Sequence, residues 1–264
     1  MALMKKLFGL NKSKKASKPA PKPRSKPKAK ITHKTAPKPQ IVHKKPSIPN
    51  IKGEVKQVVP MFERISDDKA LEMLKAAHIP VVPFFVIKRE ADLREALKKV
   101  GTPAILKVYG AKITNRMDVG GVASVSSEAE GIEAYKKLMR IKGAEKVIAQ
   151  KVLTGIEMIL GTKSDQQFGA IVSVGLGGTY KEIIKDVAFR VVPFSDSDAE
   201  SMLKELKGFE VIAGAGNKLN IQSLKDNLVK LGKFAVENKQ IKTSTIFFFC
   251  NSDGCWASEA ILSK

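Results

Sequence analysis

A break in composition near residue 55 divides the chain into a part that can fold and a part that cannot. Residues 1–50 carry 15 Lys and Arg and no Asp or Glu, and they hold eight of the 13 prolines. A run such as "KPAPKPRSKPKAK" cannot bury enough apolar surface to offset chain entropy, so residues 1–55 are expected to form a disordered tail. The tail supplies most of the net charge of +21, and the remaining residues account for only +6. Fifteen unopposed cations imply salt-sensitive attraction to polyanions, including nucleic acid. Phe8 is the only aromatic residue there, so no base-stacking platform is expected. The first ten residues lack an apolar run of signal-peptide length, and no stretch approaches the roughly 20 apolar residues that span a bilayer. A soluble, cytoplasmic protein without a membrane span is expected.

From residue 66 the hydrophobic period switches between helical and extended. "SDDKALEMLKAAHIP" has Ser66 or Asp67 as N-cap, apolar residues at 70, 71, 74 and 77, and Pro80 as a stop. "VVPFFVI" reads as a strand, "READLREALKKVG" as a helix closed by Gly101, and "PAILKV" as a second strand. After a glycine-containing loop come the strand "VASVS" and a third helix capped by Ser127. Strand patterns then dominate to residue 194, followed by two helices and a closing hairpin, "STIFFFC-NSDG-CWASEAIL". The fold class expected is α+β, with one lobe over residues 60–146 and a second over 147–264.

Few residue types suited to catalysis lie in the folded part. His33 and His43 belong to the tail, which leaves His78 alone and argues against a Ser-His-Asp arrangement. The "NSDG" loop would place Cys250 opposite Cys255, where a disulfide is geometrically possible. A reduced pair is the reading favoured for a cytosolic protein. Lys107 interrupts the apolar strand "PAILKV", so its charge needs an anion or a sheet edge. The following loop adds Lys112, Arg116, Gly120 and Gly121, a combination suited to cradling phosphate. A second cluster, "GLGG" at 175–178, reads alone as a turn, because a strand pattern and not a helix follows it. Glu157, Glu182 and Asp186 interrupt strand patterns near it. They read either as exposed strand-face acids or as carboxylates able to hold Mg²⁺.

The stretches "VGTPAILKVYGAKITNRMDVGGV" and "FGAIVSVGLGGTYKEIIKDVAFRVVPF" resemble the ATP-grasp domain of NDP-forming acyl-CoA synthetases, the β-subunit type of ADP-forming acetate–CoA ligase. The resemblance covers residues 60 to about 262. It implies an ATP-grasp fold, two α+β lobes enclosing a nucleotide site for ATP or GTP with Mg²⁺, and a separate CoA-binding α subunit. Carried over by position, Lys107 would contact the nucleotide phosphates beneath Asp118, Gly120 and Gly121, with Arg116 adding charge. Gln150, Lys151 and Val152 would form the hinge at the base, followed by Glu157. Glu182 and Asp186 would lie near the phosphoryl-transfer centre.

The departures from the family pattern bear on activity. "NRMDVGGV" places Asn115 where the family has a phosphoryl-accepting histidine, and an amide cannot carry that group. The "DINP" metal motif becomes Thr245 to Phe248, leaving Glu259 as the remaining metal ligand. "GAGN" at 214–217 lacks the family's arginine, and His78 is far in sequence from the loop. Three readings follow: a catalytic ligase subunit, a nucleotide-binding regulatory or scaffold protein, and a domain whose tail tethers it to a polyanion.

Overall fold

A computed structural model describes residues 63–113, 115–178, 186–214 and 219–264. The expected tail, Glu182 and most of "GAGN" therefore lie outside the described residues. Helix α1 (Asp67–Ala76) starts after Ser66 in extended conformation, with Asp67 and Asp68 favourably placed in its first turn. It ends in a Schellman motif, in which Ile79 N–H donates to Leu74 C=O and His78 N–H to Lys75 C=O. His78 takes the left-handed conformation, φ 58°, that this motif demands. The exposed histidine thus terminates a helix.

The next elements are β1 (Phe84–Ile87), a 3₁₀ turn over Glu90–Asp92, α2 (Leu93–Val100), β2 (Ala104–Tyr109), β3 (Val122–Val125), α3 (Glu128–Met139) and β4 (Lys146–Lys151). Ser127 caps α3 as expected, its hydroxyl accepting from Glu130 N–H. The strands form an antiparallel sheet of order β1-β4-β2-β3. Leu93, Leu97, Tyr135 and Leu138 of α2 and α3 cover one face, meeting Leu106, Val108, Val147 and Ala149. The other face of β2 and β4 presents Lys107 and Gln150.

The larger lobe comprises β5 (Ile156–Asp165), β6 (Gly169–Leu176), β7 (Val187–Val191), α4 (Asp196–Lys204), α5 (Phe209–Ala213), α6 (Ile221–Glu237), β8 (Thr243–Cys250) and β9 (Cys255–Ser263). Its sheet has the order β7-β6-β5-β8-β9 and is also antiparallel. Helices α4 and α6 bury one face around Met158, Leu160, Leu228, Phe234 and Phe248, and α1 joins the same core through Ala70, Leu71 and Leu74.

Four sequence expectations are corrected. The lobe boundary set at residue 146 falls at the start of β4, which is hydrogen-bonded within the smaller sheet, so the sheets change over after Lys151. Helix α1, counted with the first lobe, packs into the second. Of the strand expected across 179–194, residues 179–185 lie outside the described residues; β7 starts after Asp186 and stops at Val191, short of the expected end. Cys250 and Cys255 are joined as a disulfide, contrary to the favoured reduced reading. They face each other across β8 and β9 with Cα atoms 4.1 Å apart, a separation that cross-strand pairing imposes before any bond forms. Among the described residues no helix is long and apolar enough to cross a membrane.

Candidate nucleotide site

The uncovered face of the larger sheet meets Lys107 and Gln150 of the smaller one. A β-bulge between Phe247 and Phe248 leaves Ser258 as the extra residue of β9. The Ser258 carbonyl accepts from Gln150 Nε2 at 2.8 Å and from Lys107 Nζ at 3.4 Å. Two of the sequence-predicted residues are thereby brought to one point. Burial pushes the Lys107 ammonium below the ordinary lysine value, opposed by the charges of Glu259 and Glu157. A desolvated ammonium whose one hydrogen bond among the described residues is a long one to a carbonyl has donors left for a phosphate oxyanion.

The β2–β3 loop reaches over the same region. Gly120 has φ 64°, and a Cβ on Gly121 would come within 2.6 Å of Val108 Cγ1 and 3.0 Å of the Arg116 carbonyl. The pair therefore lets the loop fold back on β2, where Val108 N–H donates to Gly121 C=O. Asp118 is exposed at the loop tip with Met117 and Val119. Asn115 Oδ1 accepts from Met117 N–H at 3.1 Å, a local turn-forming bond.

Arg116 is placed differently from the expectation of a phosphate-facing cation. Its guanidinium is ion-paired with Asp67 and, at 2.5 Å, with Glu259, while its Nε–H donates to the Val108 carbonyl at 2.9 Å. Glu259, expected as a metal ligand, is thus engaged by an internal cation. Asp67 escaped notice as a site residue because a helix cap explained it; it is 2% exposed and also accepts from Arg64 at 2.9 Å.

Glu157 and Asp186 organise backbone. Glu157 Oε1 accepts from Gly178 N–H at 2.8 Å and its carbonyl from Gly177 N–H at 2.7 Å, which fixes the "GLGG" turn on β5. Asp186 accepts from the amides of Lys207 and Gly208 at 2.9 and 2.8 Å, tying the start of β7 to the turn before α5. Its carboxylate is thus occupied by backbone amides, while Glu182, its expected strand-face partner, lies outside the described residues. Lys151 and Val152 lead from β4 into the 152–155 link between the sheets. Lys151 N–H donates to Pro83 C=O, and Asn251 Nδ2 donates to the Thr154 carbonyl at 3.1 Å.

The donor set does not suit Mg²⁺. β8 alternates so that Thr245 and Phe247 share the uncovered face with Glu259, which lies directly across from Phe247. A hydroxyl, a phenyl ring and an already paired carboxylate are a poor start for an octahedral oxygen shell. Among the described residues no group of three His, Cys, Asp or Glu could hold a metal ion.

Comparison with known proteins identifies this architecture. A match to the ATP-grasp domain family runs over residues 63–261. The chain is 36% identical over 187 residues to the β subunit of acetate–CoA ligase (ADP-forming) I of Pyrococcus furiosus, covering 67% of this chain and 81% of the relative. It is 41% identical over 155 residues to acetate–CoA ligase (ADP-forming) II of Archaeoglobus fulgidus, covering 58% of this chain but only 23% of that longer protein. A solved structure of the Ca. Korarchaeum cryptofilum dinucleotide forming acetyl-coenzyme A synthetase 1, in complex with coenzyme A and Mg-AMPPCP, superposes with a TM-score of 0.69 at 29% identity. The superposition covers 76% of this chain and 92% of that one. Sheet order, the cleft at Lys107 and these likenesses agree that the chain belongs to the ATP-grasp family, as a homologue of the β subunit of ADP-forming acetate–CoA ligase.

Proposed function

We propose that the chain is a nucleotide-binding subunit of the acyl-CoA ligase type, binding ATP or GTP through Lys107 and working beside a separate CoA-binding α subunit. The observation that carries this reading is the desolvated Lys107 ammonium on the face of β2 turned to the larger sheet, where it shares the Ser258 carbonyl with Gln150. Lys107 neutralises phosphate charge, the loop excludes water above it, and the 150–152 segment lines the base. Glu157 acts by holding the glycine turn that leads to Glu182. Glu259 is paired with Arg116, so it is not free to hold Mg²⁺, and Lys107 meets the phosphates directly.

Asn115 has no imidazole to accept a phosphoryl group. We therefore read the chain as divergent from the full ligase reaction, with a regulatory or scaffold role as the alternative. Incubation of the full chain with labelled ATP and a ligase α subunit is expected to leave no acid-labile label on this chain. Label on His78 would contradict that. Calorimetric titration with ATP and with GTP tests nucleotide binding itself, and Lys107→Ala is expected to abolish it.

A second role is proposed for residues 1–55 on the strength of the 15 cations without an acid in residues 1–50. It is sequence-independent polyanion binding that weakens steeply with salt. Deleting 1–55 is expected to abolish retention of a generic RNA at low salt. Undiminished retention would refute the role.

A further inference from the structure

The Arg116 guanidinium touches protein on all its edges. One terminal nitrogen contacts Asp67, the other lies 2.5 Å from Glu259, and Nε–H donates to the Val108 carbonyl. The arginine side chain is 10% exposed, Asp67 3% and Glu259 25%. Charges this desolvated are held together strongly, because removing one partner strands the others without water. The arrangement also crosses the cleft: Asp67 and Glu259 belong to α1 and β9 of the larger lobe, Arg116 to the β2–β3 loop of the smaller. Around it the uncovered sheet face offers Thr245 and Phe247, so no second acid competes for the guanidinium from β8.

We infer that Arg116 replaces a protein-bound divalent cation at Glu259, so that the chain binds no such ion there and meets nucleotide phosphates with the Lys107 ammonium. The guanidinium is a permanent charge in a planar fork, suited to two carboxylates at once. A divalent ion at Glu259 would have to displace the guanidinium from that carboxylate and leave one of its largely buried nitrogens without an anion. The part of the inference that concerns nucleotide rests on the proposed function; the part that concerns the cation does not.

The test has two arms, both on the full chain. In the first, Mn²⁺ alone is titrated and the free ion followed by electron paramagnetic resonance. The wild type is expected to show no saturable site tighter than about 1 mM. Arg116→Met, which leaves Glu259 and Asp67 Oδ2 without their cation while Asp67 Oδ1 stays paired with Arg64, is expected to gain one that Glu259→Gln then removes. A stoichiometric wild-type site lost in Glu259→Gln would overturn the inference, as would a folded Arg116→Met protein that gains no site. If Arg116→Met does not fold, the wild-type titration decides alone. In the second arm, ATP affinity is measured in EDTA and in excess Mg²⁺. Binding in EDTA at least as tight as in Mg²⁺ is expected, and a loss of about tenfold or more would overturn the inference. ATP that binds in neither buffer would contradict the proposed function, while the Mn²⁺ arm still decides this claim.

Discussion

Lys107 shows how burial and function bear on one side chain. Burial lowers its pKa, and Glu259 and Glu157 only partly restore it, so the site favours the neutral amine more than water does. Phosphate requires the ammonium. ATP affinity is therefore expected to fall as pH rises through a value below the usual 10.5 of a lysine, and Lys107→Arg, which cannot lose its proton, should flatten that dependence. Calorimetry from pH 7 to 10 checks both. Lys107→Met should lose ATP binding yet unfold within about 1 kcal/mol of wild type, because an apolar side chain suits the site at least as well as a buried charge. Lys107 was legible in the sequence because it breaks an apolar strand, and Gln150 only through the family resemblance. Arg116 was legible as a cation but not as a paired one, since linear spacing does not reveal that Asp67, 49 residues earlier, folds against it.

At the scale of elements, close backbone approach shapes the site. The β2–β3 loop lies so near β2 that Gly121→Ala must displace Val108 or Arg116. A loss of about 1–3 kcal/mol in urea unfolding is expected, together with weaker ATP binding. The closing hairpin was readable from two apolar runs around "NSDG", and its register places Cys250 against Cys255. Their oxidation state was not readable, because it depends on surroundings as well as on spacing. Thiol labelling of the unfolded, unreduced protein is expected to find no free cysteine. The Cys250→Ala, Cys255→Ala double variant should be less stable by about 2 kcal/mol, as for closure of so short a loop. Asp186, read on a strand, lies just before β7, and its carboxylate accepts two amides from the turn before α5, a contact that the linear pattern does not reveal.

For the molecule as a whole, ion pairs join the two lobes at the start of α1. Asp67 holds Arg116, and Asp68 lies 2.7 Å from Lys146, whose ammonium also sits 4.8 Å from the Tyr109 ring centre. Burial works to raise the Asp68 pKa, but hydrogen bonds from Lys146 and Ser66 and the Lys146 charge prevail and hold it below the usual carboxylate value. A carboxyl depressed on folding stabilises above its unfolded pKa, about 3.9, and that contribution is lost as pH falls through the lower folded value. Asp68→Asn is expected to lower stability at pH 6 and to narrow the stability difference between pH 6 and pH 3, measured by urea unfolding. The two-lobed α+β plan was legible because helical and extended periods alternate clearly. The lobe boundary was not, because β4 continues the smaller sheet past the point where the strand-rich half begins. Whether the assembled cleft takes nucleotide at Lys107 is tested most directly by thermal unfolding of the full chain with and without ATP, for wild type and Lys107→Ala. At about 100 times the dissociation constant, ATP should stabilise the wild type by roughly 2.7 kcal/mol and leave the variant unmoved. An unshifted wild type, or an equal shift in both proteins, would contradict nucleotide binding at this site.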